Sequence, residues 1–148
     1  MIRIQMERRS GDFGFEARDE GGHLLHTDSS RENGGNDYGF RPMQLLLAAL
    51  GSCSAIDIVS ILKKGRQQID AFEIVIEGER ESGGLPSLWK EVRMQFFLTG
   101  ALQEGLTYRA CALSIEKYCS VAETLRRAGA SIRWELRINN KTIINTAS

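Results

Sequence analysis

The chain predicts an α+β domain, and three observations predict it. Short strand-like segments joined by turns fill the first thirty residues, one long apolar helix follows near residue 42, and alternating segments and shorter helices complete the chain. The first segments are IRIQMERR, then FGFEARD after the Gly11-Asp12 turn signal, then GGHLLHTD after Gly21-Gly22, a spacing that predicts a meander of hairpins. SSRENGGNDYGF, rich in Gly, Asn and Ser, reads as a loop that leads directly into the helix. Pro42 suits the first helical turn, where its missing N–H is not needed, and Lys63 and Lys64 suit the negative end before Gly65 terminates it. The apolar face takes in Leu45, Leu46, Ala49, Leu50, Cys53 and Ile56, wide enough to predict burial on more than one side. IDAFEIVIEGERE and LWKEVRMQFFLTG alternate with period two and are joined by SGGLPS, the pattern of a hairpin. ALQEGLTYRACALSIEKY returns to helical spacing, and SIRWELRIN closes as a strand with Ile132, Trp134, Leu136 and Ile138 on one face. Trp89 and Trp134 lie in these alternating strands and are read as core or interface residues.

The totals bound the function. The 148 residues suffice for a single domain spanning 1–148, a size at which roughly 70% of the unfolded surface is buried. Nineteen basic and nineteen acidic residues cancel, so no excess charge points to nucleic acid. The N-terminal segment lacks an apolar run of signal-peptide length, no later stretch reads as membrane-spanning, and the expectation is a cytoplasmic protein without a membrane partner. Three cysteines, Cys53, Cys111 and Cys119, are an odd count, which argues against a disulfide framework and leaves packing, metal binding or thiol chemistry. With His23 and His26 in a polar segment far along the chain from all three, no zinc-type cluster is legible and no metal is expected.

The thiols differ in setting. Cys53 lies mid-helix among Ala49, Leu50, Ile56 and Asp57, where burial and a facing carboxylate would oppose ionisation. Cys111, flanked by Ala110, Ala112 and Leu113, reads as core packing. In YCSVAETLRRAG, Ser120 and Glu123 form a capping-box pattern, so a short helix is expected to start at Ser120 and end before Gly129. Cys119 would then sit just outside a positive helix end, and local physics makes it the more acidic thiol.

Two stretches together resemble the OsmC/Ohr family: RPMQLLLAALGSCSAIDIVSIL, in which a Pro opens the helix and a cysteine lies near its middle, and IEKYCSVAETLRRAGASIRWELRI, in which a cysteine opens a short helix before the last strand. Their wording is nearer to a less characterised OsmC-like branch. The resemblance implies an OsmC-like fold, with antiparallel strands around a long central helix, and an intertwined homodimer with shared active sites. It implies a peroxidase without metal or organic cofactor. Cys53 would attack an organic hydroperoxide, Cys119 would resolve the product, and a dithiol would restore both. The chemistry needs a cation to favour the Cys53 thiolate. The family glutamate that holds an arginine over this sulfur is replaced by Met43, and Arg18, Arg31 and Arg41 lie in or near the loop before the helix. Arg41 is the candidate by proximity. Two further readings use the same scaffold, a binding protein for a small apolar ligand and a redox sensor.

Overall fold

The structure is a computed structural model that describes residues 1–143. The chain falls into two compact units, Met1–Leu46 and the remainder from Leu47.

In the first unit, β1 (Ile4–Ser10), β2 (Gly14–Asp19) and β3 (Leu24–Thr27) form an antiparallel meander, as the turn signals predict. Gly11 takes φ 54° and Gly22 φ 83° at the two turns, conformations that cost a side-chain-bearing residue its Cβ clearance. The loop that follows is organised by one carboxylate. Asp28, 3% exposed, accepts from the backbone N–H of Ser29 at 2.7 Å, Asn36 at 2.8 Å and Tyr38 at 3.0 Å. A carboxylate is acceptor-only with room for several donors, so one side chain replaces the ladder bonds this segment lacks. Phe40 then bridges to Thr27, its N–H donating to the His26 carbonyl at 3.0 Å.

The N–H of Tyr38, against the opposing effect of burial, and then those of Asn36 and Ser29 hold the Asp28 carboxyl below the usual aspartate range. The folded group therefore contributes stability above the unfolded aspartate pKa of about 4, and that contribution is lost as pH falls through the lower folded value. Asp28→Asn keeps one oxygen of two and loses the charge. Calorimetry is expected to show a lower Tm than wild type at pH 7, with the gap closing as the pH is taken below 4; a gap of constant size would contradict this role for the carboxylate.

The helix α1 (Pro42–Lys64) runs from the end of the first unit into the second. At its start the Gln44 side chain accepts from the Arg41 N–H at 3.0 Å, half of a capping box with Arg41 at the cap position. At its other end the turn away from helix is made one residue later than the sequence suggests. Arg66, not Gly65, adopts the left-handed conformation at φ 54°. Arg66 N–H donates to the Lys63 carbonyl and Gln67 N–H to the Leu62 carbonyl, both at 3.0 Å, which is a Schellman closure.

Within the second unit, β4 (Ala71–Arg80) and β5 (Trp89–Thr99) form the expected hairpin. After β5 come α2 (Glu104–Leu113), a π turn (Ser114–Tyr118) and α3 (Ser120–Arg127), then β6 (Ser131–Ile138) and β7 (Lys141–Ile143). The sheet order is β4-β5-β6-β7. β5 and β6 pair in parallel, because the helices between them carry the chain back to the end of the sheet where β5 began. Val92, Met94, Phe96 and Leu98 of β5 and Leu136 and Ile138 of β6 are at most 4% exposed and make the core face. α2 lies on it through Tyr108 and Trp134, whose rings are 5.0 Å apart. α1 approaches β4 at Gly51, where an added Cβ would come within 2.7 Å of Ile76 Cδ1.

The side of α1 turned to this core is a single stripe, Leu50, Gly51, Ser54, Ile58 and Leu62. Burial on more than one side, expected from the width of the apolar face, is not met within one chain: Ile56 is 65% exposed and Leu46 40%. A second expectation also changes. At 23 residues, with a mean hydropathy of 2.1 over its most apolar window, α1 is long and apolar enough to cross a membrane by length and composition, a test that core helices also pass.

Candidate active site

The site is built where α1 meets the segment from Ser114 to Ala122. An ordinary α-helical turn would close each N–H on the carbonyl four residues back. Instead the π turn closes with the Cys119 N–H donating to the Ser114 carbonyl at 2.8 Å, five residues back. This wider turn ends α2 and leaves Cys119, φ −69° and ψ 103°, as the cap of α3. The cap is therefore the cysteine itself: its Sγ accepts from the Ala122 N–H at 3.4 Å. The capping box expected of Ser120 and Glu123 does not form, because Ser120 is already helical. Glu123 instead accepts from Arg127 at 2.8 Å on the outer face.

Two polar side chains tie α1 to this segment, and both are fully buried. Ser54 Oγ lies 2.8 Å from the Leu50 carbonyl and 3.7 Å from Cys119 Sγ, a reach that suits a sulfur acceptor. Ser114 Oγ lies 3.1 Å from Asp57 Oδ2 and 3.4 Å from the Ser54 carbonyl. The Asp57 carboxylate thus has a donor on the π turn. Sequence reasoning passes over Ser54 and Ser114, although a serine next to Cys53 in the middle of an apolar helix is the signal that would find the first. Such a group is rarely left buried without a partner.

Cys53 and Cys119 come together here. Cys53, half-buried on α1, is close enough to Cys119 to influence its ionisation. Cys119, 2% exposed, is not the acidic thiol that its place before a helix suggests. Burial raises its pKa first of all, and the Cys53 side chain raises it further, against the smaller lowering effects of the Ala122 N–H and the Ser54 hydroxyl. The helix end is real, but desolvation outweighs it. Cys111 follows its expected place in the core: fully buried, with burial pushing its thiol up to about 12.

The arginines stand apart from one another in their bonding. Arg18 pairs with Glu16 at 3.3 Å and Arg31 with Asp37, while Arg41 lends only its backbone N–H to the helix cap and its side chain makes no hydrogen bond or ion pair among the described residues. No group of three or more His, Cys, Asp and Glu side chains gathers in a metal-binding arrangement among the described residues.

A sequence model of the family described as OsmC-like protein matches residues 34–135, a span holding both thiols and every residue that ties them together. The chain belongs to the OsmC-like family. Protein YhfA of Escherichia coli strain K12 is 41% identical over 115 residues, covering 77% of this chain and 82% of the relative. Among solved structures, a hypothetical protein from Aquifex aeolicus VF5 superposes with a TM-score of 0.77 at 28% identity, covering 94% of this chain and 98% of that one. An organic hydroperoxide resistance protein, OsmC, from Legionella pneumophila shares the fold, with a TM-score of 0.68 at 16% identity over 92% of this chain and 96% of its own. The α+β class and the two-sheet arrangement of this chain are thus those of the OsmC-like fold.

Proposed function

We propose that the protein is a thiol-dependent peroxidase for organic hydroperoxides, with Cys53 as nucleophile and Cys119 as resolving thiol. The observation that carries this reading is the meeting of the two thiols: the residue next to Cys53, Ser54, bonds Cys119 Sγ at 3.7 Å, and Cys53 itself is near enough to raise the Cys119 pKa. Membership of a family that includes hydroperoxide resistance proteins supports it.

The Cys53 thiolate attacks the outer oxygen of the hydroperoxide. An S–O bond forms, the O–O bond breaks, and the alkoxide takes a proton and leaves as the alcohol. The Cys119 sulfur then attacks Cys53 Sγ of the sulfenic acid; the S–S bond forms, the S–O bond breaks, and hydroxide leaves with the thiol proton as water. A dithiol reductant reopens the disulfide by two exchange steps. The cycle needs neither metal nor organic cofactor. Arg41, whose side chain makes no hydrogen bond or ion pair among the described residues, is the candidate for the cation that favours the Cys53 thiolate.

The working form is a homodimer in this reading. Its support is the apolar α1 face that a single chain leaves open, only 28% of the helix's most apolar window being buried. Free thiols in odd number suit the reducing cytoplasm, which would also hold the dithiol.

Replacing the resolving thiol separates the steps. Cys119→Ser is expected to consume about one equivalent of hydroperoxide and then to gain a second oxygen on Cys53, because a sulfenic acid without a partner thiol oxidises onward. Peptide mapping after a second equivalent reads this directly, and sustained turnover by the variant would remove Cys119 from the cycle.

A further inference from the structure

We infer that the Ser54 hydroxyl and the Ala122 N–H form a two-donor cradle that stabilises the Cys119 sulfur as an anion, which makes Ser54 a working residue of the resolving step. The inference about that step rests on the thiol-pair reading above; the cradle itself does not.

Both donors already lie within reach of the sulfur. Ala122 N–H lies 3.4 Å from it and Ser54 Oγ 3.7 Å, and they come from different elements, α3 and α1. The Ser54 hydroxyl has one proton and two acceptors within reach, the Leu50 carbonyl at 2.8 Å and Cys119 Sγ. While Cys119 is a neutral thiol, a weak acceptor, the carbonyl holds that proton. When the sulfur becomes negative, a rotation about the Cβ–Oγ bond turns the proton to it, and the bond becomes charge-assisted. Nothing else has to move, and the hydroxyl is fully buried, so no water competes for the sulfur on that side.

Such a device answers a need. Burial opposes ionisation of Cys119, and a resolving thiol must become a nucleophile at the moment it attacks. The other charged and titratable groups around it are Cys53 and Asp57 on α1 and, around a surface cavity of about 340 Å³ that Cys119 also lines, Lys117, Tyr118, Glu123 and Arg127. Asp57 has Ser114 for a partner, Arg127 has Glu123, and Lys117 lies over the Tyr118 ring at 5.6 Å; among the described residues Ser54 is the neutral side-chain donor that reaches the sulfur.

The test is the ionisation of Cys119 itself, read site by site by NMR of cysteine labelled with 13C at Cβ. In a Cys53→Ala background, which removes the neighbouring thiol, adding Ser54→Ala is expected to raise the Cys119 midpoint by about one pH unit, a tenfold loss of thiolate at a given pH. An unchanged midpoint overturns the cradle. Should the smaller side chain disturb folding, Ser54→Thr and Ser54→Val make the same comparison at equal volume: a lower midpoint for Thr supports the cradle, and equal midpoints overturn it. With Cys53 present and one equivalent of cumene hydroperoxide, Ser54→Ala is expected to form its disulfide about tenfold more slowly while sulfenic acid forms at the wild-type rate. Equal slowing of both steps contradicts a role confined to resolution. A wild-type chain that forms no sulfenic acid would sink the peroxidase reading, while the midpoint shift would still report on the cradle.

Discussion

Cys53→Ser is expected to reduce hydroperoxide turnover by about a thousandfold or more, because a serine hydroxyl is not ionised at neutral pH and does not displace alkoxide from an O–O bond. The substitution is nearly isosteric and the position is half-buried rather than sealed, so the fold should persist. Stability and activity therefore separate: a Tm close to wild type with no sustained peroxide loss supports the nucleophile assignment. Cys111→Ser supplies the contrast. That thiol sits at 0% exposure with its pKa pushed up to about 12, and its replacement should lower stability while leaving the chemistry intact. Wild-type turnover by Cys53→Ser would refute the proposed cycle at its first step.

Gly39→Ala carries a large expected cost to stability in the first unit. At Gly39 the chain passes directly over β3, with its neighbour Phe40 bonded to His26 and Asp28 by backbone groups at 3.0 Å. A Cβ there would lie 2.1 Å from the carbonyl carbon and oxygen of His26 and 2.6 Å from the Thr27 nitrogen. These are backbone atoms and cannot rotate aside, so the bridge between Thr27 and Phe40 must open. The loss is about 3 kcal/mol or more, which corresponds to a fall in Tm of about 10 °C for a chain of this size. Gly105, in α2, has open space at the same position, and Gly105→Ala should raise Tm slightly through helix propensity. Equal effects at the two glycines would contradict the close approach at Gly39.

The elements were legible where their signals are local. Turn glycines announce the meander, Pro42 and the paired lysines mark the ends of α1 to within a residue, and alternation identifies β4, β5 and β6. What depends on partners distant in the chain was not. Arg66 takes the left-handed position because the Lys63 and Leu62 carbonyls are capped from there, a choice that Gly65 in the sequence hides. The parallel pairing of β5 with β6 follows from where two helices deliver the chain. The π turn looks like continuous helix in sequence, since one extra residue leaves the composition unchanged. Cys119 shows the limit most clearly: its helix end was readable, but the burial that outweighs it is set by α1, far away in sequence. Ser54 and Ser114 gain their meaning from the same packing.

The central claim is that Cys53 and Cys119 react with a hydroperoxide as a pair. The direct measurement is the intact mass of the reduced protein after one equivalent of an organic hydroperoxide, with peptide mapping of the product. The account predicts rapid loss of two hydrogens and a crosslinked peptide joining Cys53 to Cys119, with Cys111 unmodified. Retention of all three free thiols would contradict it.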